Sequence, residues 1–475
     1  MRLFLIGWSG KDLGLIEAAR RLRERGNKII YWTCPDVDKL INAEDFPETV
    51  LHDHFEALKG VPAPSLSKEE FDPPGEMLLY NLLEAESTAM IMMNKHFEGW
   101  PASKRKQLYY TYVGYWYGVI QKFRPDIILY TNVPHTVYDY VIYAIAKLLK
   151  IKTLMLEPSW ISDRLLLIED FKKGCEMVSE ALEKNGSNHF QLPDLSEDLQ
   201  EYYRLQTEKL LDTTPIFVRH AKSQYSGLSL FIFKLKIIWK SIKDFTFLRK
   251  IFSFFKKSLG KNIIKEYQNV QQEPDFSKNF VYFPLQYQPE RTSSPQGGIF
   301  VDQIFMAETL AAALPDDWLV YLKEHPLQWT LHGFNFTDYR YPGYYQTLAR
   351  IKKVRVVPAE TSTYKLTNAA RAVATIAGTA GLEAVFRQKP ALVFGYFWYQ
   401  DFPGMFKVRD FFSCKKALEA IEKGFTISSQ RIIDYLGVFD QVSFHGYVDA
   451  DGTKVSKLTP QENASNILNA ILKSL

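Results

Sequence analysis

Three short apolar runs between residues 280 and 395 each break off in a polar cluster, and helix-patterned segments stand between them. The first reads FVYFPLQYQPE and ends at Gln286, Gln288 and Glu290; the second, WLVYLKEHP, ends at Lys323, Glu324 and His325. The third opens the stretch ATIAGTAGLEAVFRQKPALVFG and ends at Gly378 and Thr379. Asp302–Leu314, Thr361–Arg371 and Leu382–Arg387 carry the helical pattern. Strands alternating with helices predict a parallel, doubly wound α/β sheet. Such sheets bind ligands beyond the carboxyl ends of their strands, so these polar clusters are expected to line one crevice.

The first 160 residues repeat the rhythm. Leu3–Gly7 reads as a strand, Leu13–Arg25 as a helix closed by Gly26, and Lys28–Trp32 as a second strand. The spacing of Gly7, Gly10 and Gly14 echoes a dinucleotide loop only loosely and is equally that of a tight strand-to-helix turn. Pro35–Gly75 reads as irregular. Glu76–Glu98 and Lys104–Phe123 read as two long helices, Asp126–Tyr130 as a strand, His135–Leu149 as a helix and Lys152–Leu156 as a strand. The pattern predicts a first Rossmann-like domain, 1–225, with a helical insertion. Asn132 and His135 follow one of its strands. Glu157 and Asp163 follow the next strand, and a carboxylate at such a strand end is a candidate base or nucleophile. His135 also fits a helix start that touches only backbone.

Ile168–Leu211 reads as helical and acidic. Between Gly227 and Lys265 stand ten Lys or Arg against one acid, Asp244, so this stretch carries +9 while the whole chain carries +4. Phe231, Leu235, Ile238, Ile242 and Phe245 recur at helical spacing, with Lys236, Lys240 and Lys243 opposite them; Leu248, Phe252, Phe255 and Leu259 extend the apolar stripe. A basic amphipathic stretch of this kind, 231–259, is expected to meet an anionic membrane surface, or else to pack its apolar face on a domain. No nucleic-acid motif accompanies it. It sets a linker at 226–277 before a second Rossmann-like domain at 278–475.

Cys34, Cys175 and Cys414 are far apart and form no metal or redox spacing, which fits a reducing compartment. The opening MRLFLIGWSG has too short an apolar run for a signal segment, and no stretch reaches the length of a membrane span. The expected place is the cytoplasm, at the periphery of the inner membrane.

In the second domain, Pro326 holds His325 extended and aims its imidazole outward, where it can meet a phosphate. Gly378-Thr379-Ala380-Gly381 opens a helix directly after a strand and is a ready anion site. With Lys323, these groups can carry a leaving phosphate's charge, so no metal and no cofactor are expected. The start at Thr361-Ser362-Thr363 reads more simply as a helix cap.

YFPLQYQPE, the strand-end KEHP and GTAGLEAVFRQKPALVFG resemble bacterial capsule polysaccharide biosynthesis proteins over Phe280–Gly404, faintly in the first domain. That family includes the retaining β-Kdo transferases, which are GT-B glycosyltransferases. The resemblance implies two Rossmann-like domains facing a cleft, with the last helix, Gln461–Leu475, crossing back over the hinge. It implies a nucleotide sugar, CMP-linked, carrying Kdo or another ulosonic acid, and a glycan or lipid-linked acceptor. His325 would contact the CMP phosphate, Thr379 with the Gly378 and Gly381 backbone would complete the anion pocket, and Glu383 would reach the ribose. Kdo transferases place a Glu-Asp pair after a first-domain strand; here Glu157 is followed by Pro158, which leaves Glu157 or Asp163 for that role. Two other readings stay open: a CDP-glycerol-type polyol-phosphate transferase, and a non-catalytic component of capsule assembly or export.

Overall fold

The computed structural model describes residues 1–10, 12–97, 99–186, 189–207, 263–329 and 339–475. The basic stretch 231–259 lies outside them. The expected α/β class holds in both halves. In the first, β1 (Arg2–Ile6), β2 (Lys28–Cys34), β3 (Val50–Asp53), β4 (Ile127–Tyr130) and β5 (Lys152–Pro158) run parallel in the order β5-β4-β1-β2-β3. Their apolar runs are buried because helices cover both faces. In the second half β7 (Phe280–Pro284), β8 (Leu319–Lys323), β9 (Val354–Val356), β10 (Ala372–Thr375), β11 (Ala391–Val393) and β12 (Met405–Lys407) form a parallel sheet ordered β12-β11-β10-β7-β8-β9. Each order reverses once, between β1 and β4 and between β7 and β10. Those reversals are where a crevice opens.

Several elements differ from their sequence reading. Pro35–Gly75 is not all irregular: Val50–Asp53 pairs with β2, and Asp53 then caps the helix His54–Lys59 by accepting from the N–H groups of Phe55 and Glu56. The helix expected over Glu76–Glu98 breaks at Leu82, which leaves helical geometry (φ −108°, ψ 14°) to bury its side chain. Residues 164–168, RLLLI, form β6, which turns back antiparallel on β5. The expected helix from Ile168 therefore begins only at Glu176, and Glu197–Thr207 follows as a separate helix. These two pack on helices of the second domain, Ser429–Val442 and Thr379–Phe386.

After β12 the chain returns to the first domain. β13 (Phe444–His445) pairs antiparallel with β6, and the last helix, Pro460–Ser474, lies against Leu15–Glu24. Ala464, Ile467, Leu468 and Ile471 join Leu15, Ala18, Ala19 and Leu22 in one buried cluster. Gly14 (φ 72°) is required there, since a Cβ would sit 2.1 Å from the Pro460 carbonyl oxygen. This glycine therefore serves helix packing, and the dinucleotide-loop echo has no other counterpart at that position. No helix of the described residues is long and apolar enough to cross a membrane.

Candidate functional site

The carboxyl ends of β10, β7 and β8 are neighbours, and they bring the three polar clusters together. At the β7/β10 reversal Gln286 lies against Gly378: a Cβ on that glycine would be 2.8 Å from the Gln286 side-chain oxygen. Gln286 also donates to Thr292 Oγ1 at 3.2 Å. Gly378 precedes the helix Thr379–Phe386, and its own N–H is taken by Thr375 Oγ1 at 3.1 Å. The Gly381 N–H is taken by the Gly378 carbonyl at 3.2 Å. The donors left at this helix start are therefore the N–H groups of Thr379 and Ala380, which have no protein partner among the described residues. They point out of the helix start, where the dipole favours an anion. Glu383 sits one turn further along; burial first, and the Glu383 charge with it, raise the phenol pKa of Tyr202, Tyr282 and Tyr399.

At the end of β8, His325 Nδ1 accepts the Leu327 N–H at 3.2 Å, which places the proton of a neutral ring on Nε2. The ring lies 5.6 Å from that of Tyr287. Lys323 is buried and donates to the Thr361 carbonyl at 2.9 Å and Thr363 Oγ1 at 2.7 Å, so its charge holds the start of the next helix. Gln288 is buried in backbone and amide contacts, while Glu290 is exposed on the loop.

Beneath these groups lies an ion pair that sequence reading did not single out. Arg340 and Glu324 are both fully buried, joined through Arg340 Nε at 2.6 Å and Nη2 at 3.2 Å. Arg340 donates further to Gln288 Oε1 and the Gln286 carbonyl, and Glu324 accepts from Tyr345 and from the His325 N–H. Each partner is thus saturated, and the pair ties the ends of β7 and β8 into one rigid floor. Removing one partner of such a pair strands a buried charge, at about 3–5 kcal/mol. Arg340→Leu is expected to lose that much unfolding free energy in urea titration; a loss under about 1 kcal/mol would mean the pair is not holding this floor.

Across the cleft, Glu157 at the end of β5 is completely buried, and its Oε2 accepts from Arg291 Nη1 of the second domain at 2.7 Å. Its Oε1 has no partner among the described residues. Burial pushes its pKa up to about 7, against the pull of Arg291. His135 Nδ1 donates to the Val133 carbonyl at 2.9 Å, which leaves Nε2 as an acceptor. Burial first, then the positive charges of Lys95 and Arg291, hold His135 near a pKa of about 3, so it stays neutral. Asn132 is half-buried beside it at the end of β4. Asp163 is placed elsewhere: it accepts from His445 Nδ1 and Ser456 Oγ, both at 2.6 Å, and so fastens the returning C-terminal segment.

Contacts join Gln286 to the Gly378 turn and Glu157 to Arg291, and His325 and the Thr379 helix start stand at the ends of β8 and β10 of the same sheet, while Lys323, Gln288 and Asp163 turn to other contacts. The sequence shows Arg291 as one of four loop residues, with Glu290, Thr292 and Ser293, able to meet a ligand or simply to cover the sheet, and its partner Glu157 is not legible there; Arg340 stands in no periodic pattern at all. Among the described residues no cluster of His, Cys, Asp or Glu is able to hold a metal ion.

The sequence model of the family described as capsule polysaccharide biosynthesis protein matches residues 264–421. That segment covers the sheet, the His325 turn and the Thr379 helix start. No curated protein matches the chain. Similar solved structures include the Methanocaldococcus jannaschii UDP-GlcNAc 2-epimerase in complex with UDP-GlcNAc and UDP, at 13% identity over 92% of this chain and 98% of that one, with a TM-score of 0.26. The Thermosulfurimonas dismutans KpsC beta Kdo 2,7 transferase is 11% identical over 75% of this chain and 88% of its own, with a TM-score of 0.30. Anabaena Alr3699/HepE in complex with UDP and glucose is 11% identical over 100% and 99%, with a TM-score of 0.28. At these scores the fold assignment rests on the strand order of the two sheets.

Proposed function

We propose that this chain, whose second domain carries the sequence of the capsule polysaccharide biosynthesis protein family, is a glycosyltransferase of surface polysaccharide synthesis. The observation that carries the reading is the placement of His325 and the Thr379 helix start at the ends of β8 and β10 in one sheet, with the buried Glu157 of the first domain held against that second domain by Arg291. In this reading the second domain holds a nucleotide-activated donor, CMP-linked. The N–H groups of Thr379 and Ala380 and the Nε2–H of His325 receive its phosphate. They are in place before the reaction, so the charge that develops as the sugar–phosphate bond breaks meets dipoles that need no reorganisation. Glu157, with a pKa near neutrality, takes the proton of the attacking acceptor hydroxyl. The acceptor is a glycan or glycolipid bound on the first domain near Asn132 and His135.

The test is turnover by the purified chain with CMP-sugar and with CDP-glycerol, each supplied with capsule glycan fragments. Sugar transfer from the CMP-linked donor supports the reading. Turnover of CDP-glycerol alone makes the protein a polyol-phosphate transferase, and turnover of neither leaves a non-catalytic assembly role. The basic stretch 231–259 completes the proposal by holding the enzyme at anionic lipid, each lysine near the surface adding about 1 kcal/mol. Co-sedimentation with anionic vesicles should be strong at low salt and weak at high salt, as a screened charge interaction requires; no binding at low salt would remove the membrane from the proposal.

A further inference from the structure

Among the described residues two Arg–Glu pairs are buried, and they are built differently. In Arg340–Glu324 the guanidinium reaches both carboxylate oxygens, and its remaining donors and the carboxylate's remaining acceptor sites are filled by Gln288, Gln286, Tyr345 and the His325 backbone. In Arg291–Glu157 only Nη1 touches only Oε2. Among the described residues Glu157 Oε1 is buried without a partner, and the Arg291 guanidinium has no other hydrogen-bond partner, although that side chain is only 10% exposed. A buried carboxylate oxygen without a donor is uncommon in a native structure and asks for an explanation. A guanidinium normally takes a planar oxyanion through two parallel N–H groups, which makes the single contact equally incomplete. Half-made in this way, the pair is suited to being exchanged.

We propose that Glu157–Arg291 is a clasp opened by substrate: Arg291 exchanges the Glu157 carboxylate for an oxyanion, phosphate or carboxylate, carried by the bound substrate, and so uncovers Glu157. The loop under Arg291 does not need to move. Its backbone is closed by Ser293 N–H on the Glu290 carbonyl at 3.0 Å and Gln296 N–H on the Arg291 carbonyl at 3.3 Å. Ser293 Oγ adds a bond to the Glu290 carbonyl at 2.7 Å. Rotation of the arginine side chain is sufficient. The surroundings favour the exchange, because His135 beside Arg291 stays neutral and Lys95 adds positive charge. No covalent bond changes in this step. It deepens the transferase reading by giving the two domains a shared, substrate-sensitive contact. It rests on that reading only for which substrate carries the oxyanion.

The experiment measures binding by calorimetry with two probe pairs, CMP against cytidine and glucuronate against glucose, for wild type, Glu157→Gln, Arg291→Gln and Arg291→Lys. With its competitor gone, Glu157→Gln is expected to bind the charged probe about 5-fold or more tightly than wild type, whereas Arg291→Gln loses about 10-fold or more. Arg291→Lys keeps the charge but not the fork, so it weakens binding while melting like wild type. An effect confined to CMP over cytidine identifies the oxyanion as the donor phosphate, and one confined to glucuronate over glucose identifies a sugar acid. A Glu157→Gln variant that binds no tighter than wild type overturns the clasp, as does an Arg291→Gln variant that binds normally. Because no turnover is measured, either result leaves the glycosyltransferase reading standing; that reading falls if wild type transfers no sugar.

Discussion

His325→Ala is expected to remove most of the stabilisation that CMP gives the protein and about 10²–10³-fold of its transfer rate. Inside the fold Nδ1 accepts the Leu327 N–H and the ring lies beside Tyr287. Melting of the unliganded variant therefore sets the reference against which its CMP shift is read. A hydrogen bond to a charged phosphate contributes about 1.5–3 kcal/mol, which is a factor of roughly 10–100 in affinity. At a CMP concentration near 100 Kd the wild type gains about 2.7 kcal/mol of stability, so most of that gain disappears at the same concentration in the variant. His325→Gln, which keeps an N–H donor near the place of Nε2, should recover part of both. Thermal shift with and without CMP, read beside turnover, decides the point. Full turnover by His325→Ala would place the donor phosphate somewhere else.

Glu157→Gln is expected to lose about 10²–10⁴-fold in kcat without weakened donor binding, since the amide cannot take the acceptor's proton. Stability moves the other way. The folded-state pKa of Glu157 is raised to about 7, from an ordinary value of 4.5. Below pH 4.5 the carboxyl is neutral in both states and nothing is lost. Between 4.5 and 7 the unfolded chain ionises while the folded one holds its proton, so stability falls as pH rises, by roughly 3 kcal/mol in all, and levels off above 7. Glutamine has no charge to form. The variant should lack this fall, and at pH 8 it should unfold at a higher urea concentration than wild type. A catalytic loss accompanied by lower stability at pH 8 would instead describe a carboxylate that holds the domains together. Retained activity would move the base to another residue.

What the sequence determined by itself was local. An apolar run such as FVYFP or WLVYLK, bounded by helical periodicity, has one economical fate in a chain of this composition, a buried parallel strand, and its polar end must emerge at the sheet's edge. The doubly wound class, and the place of Gln286, His325 and Thr379 at neighbouring strand ends, followed from that. The family resemblance drew on the same stretch, 280–404. Tertiary structure decided everything that depended on residues far apart along the chain. Arg291 reaches Glu157 across 134 positions, and Asp163 is claimed by His445 across 282. Both follow from how the two sheets dock and from the return of the C-terminal segment, and neither leaves a period or a spacing to read. The same holds for β6, where four apolar residues follow Arg164 without flanking glycine or alternation, and which is a strand only because β5 offers it an open edge. It holds for the helix start too. Which N–H groups remain for a phosphate depended on Thr375 and on the Gly378 carbonyl having taken the others, a matter of ångströms that residue types alone do not specify. Residue chemistry set what could bind at the strand ends; packing chose which groups were left to do it.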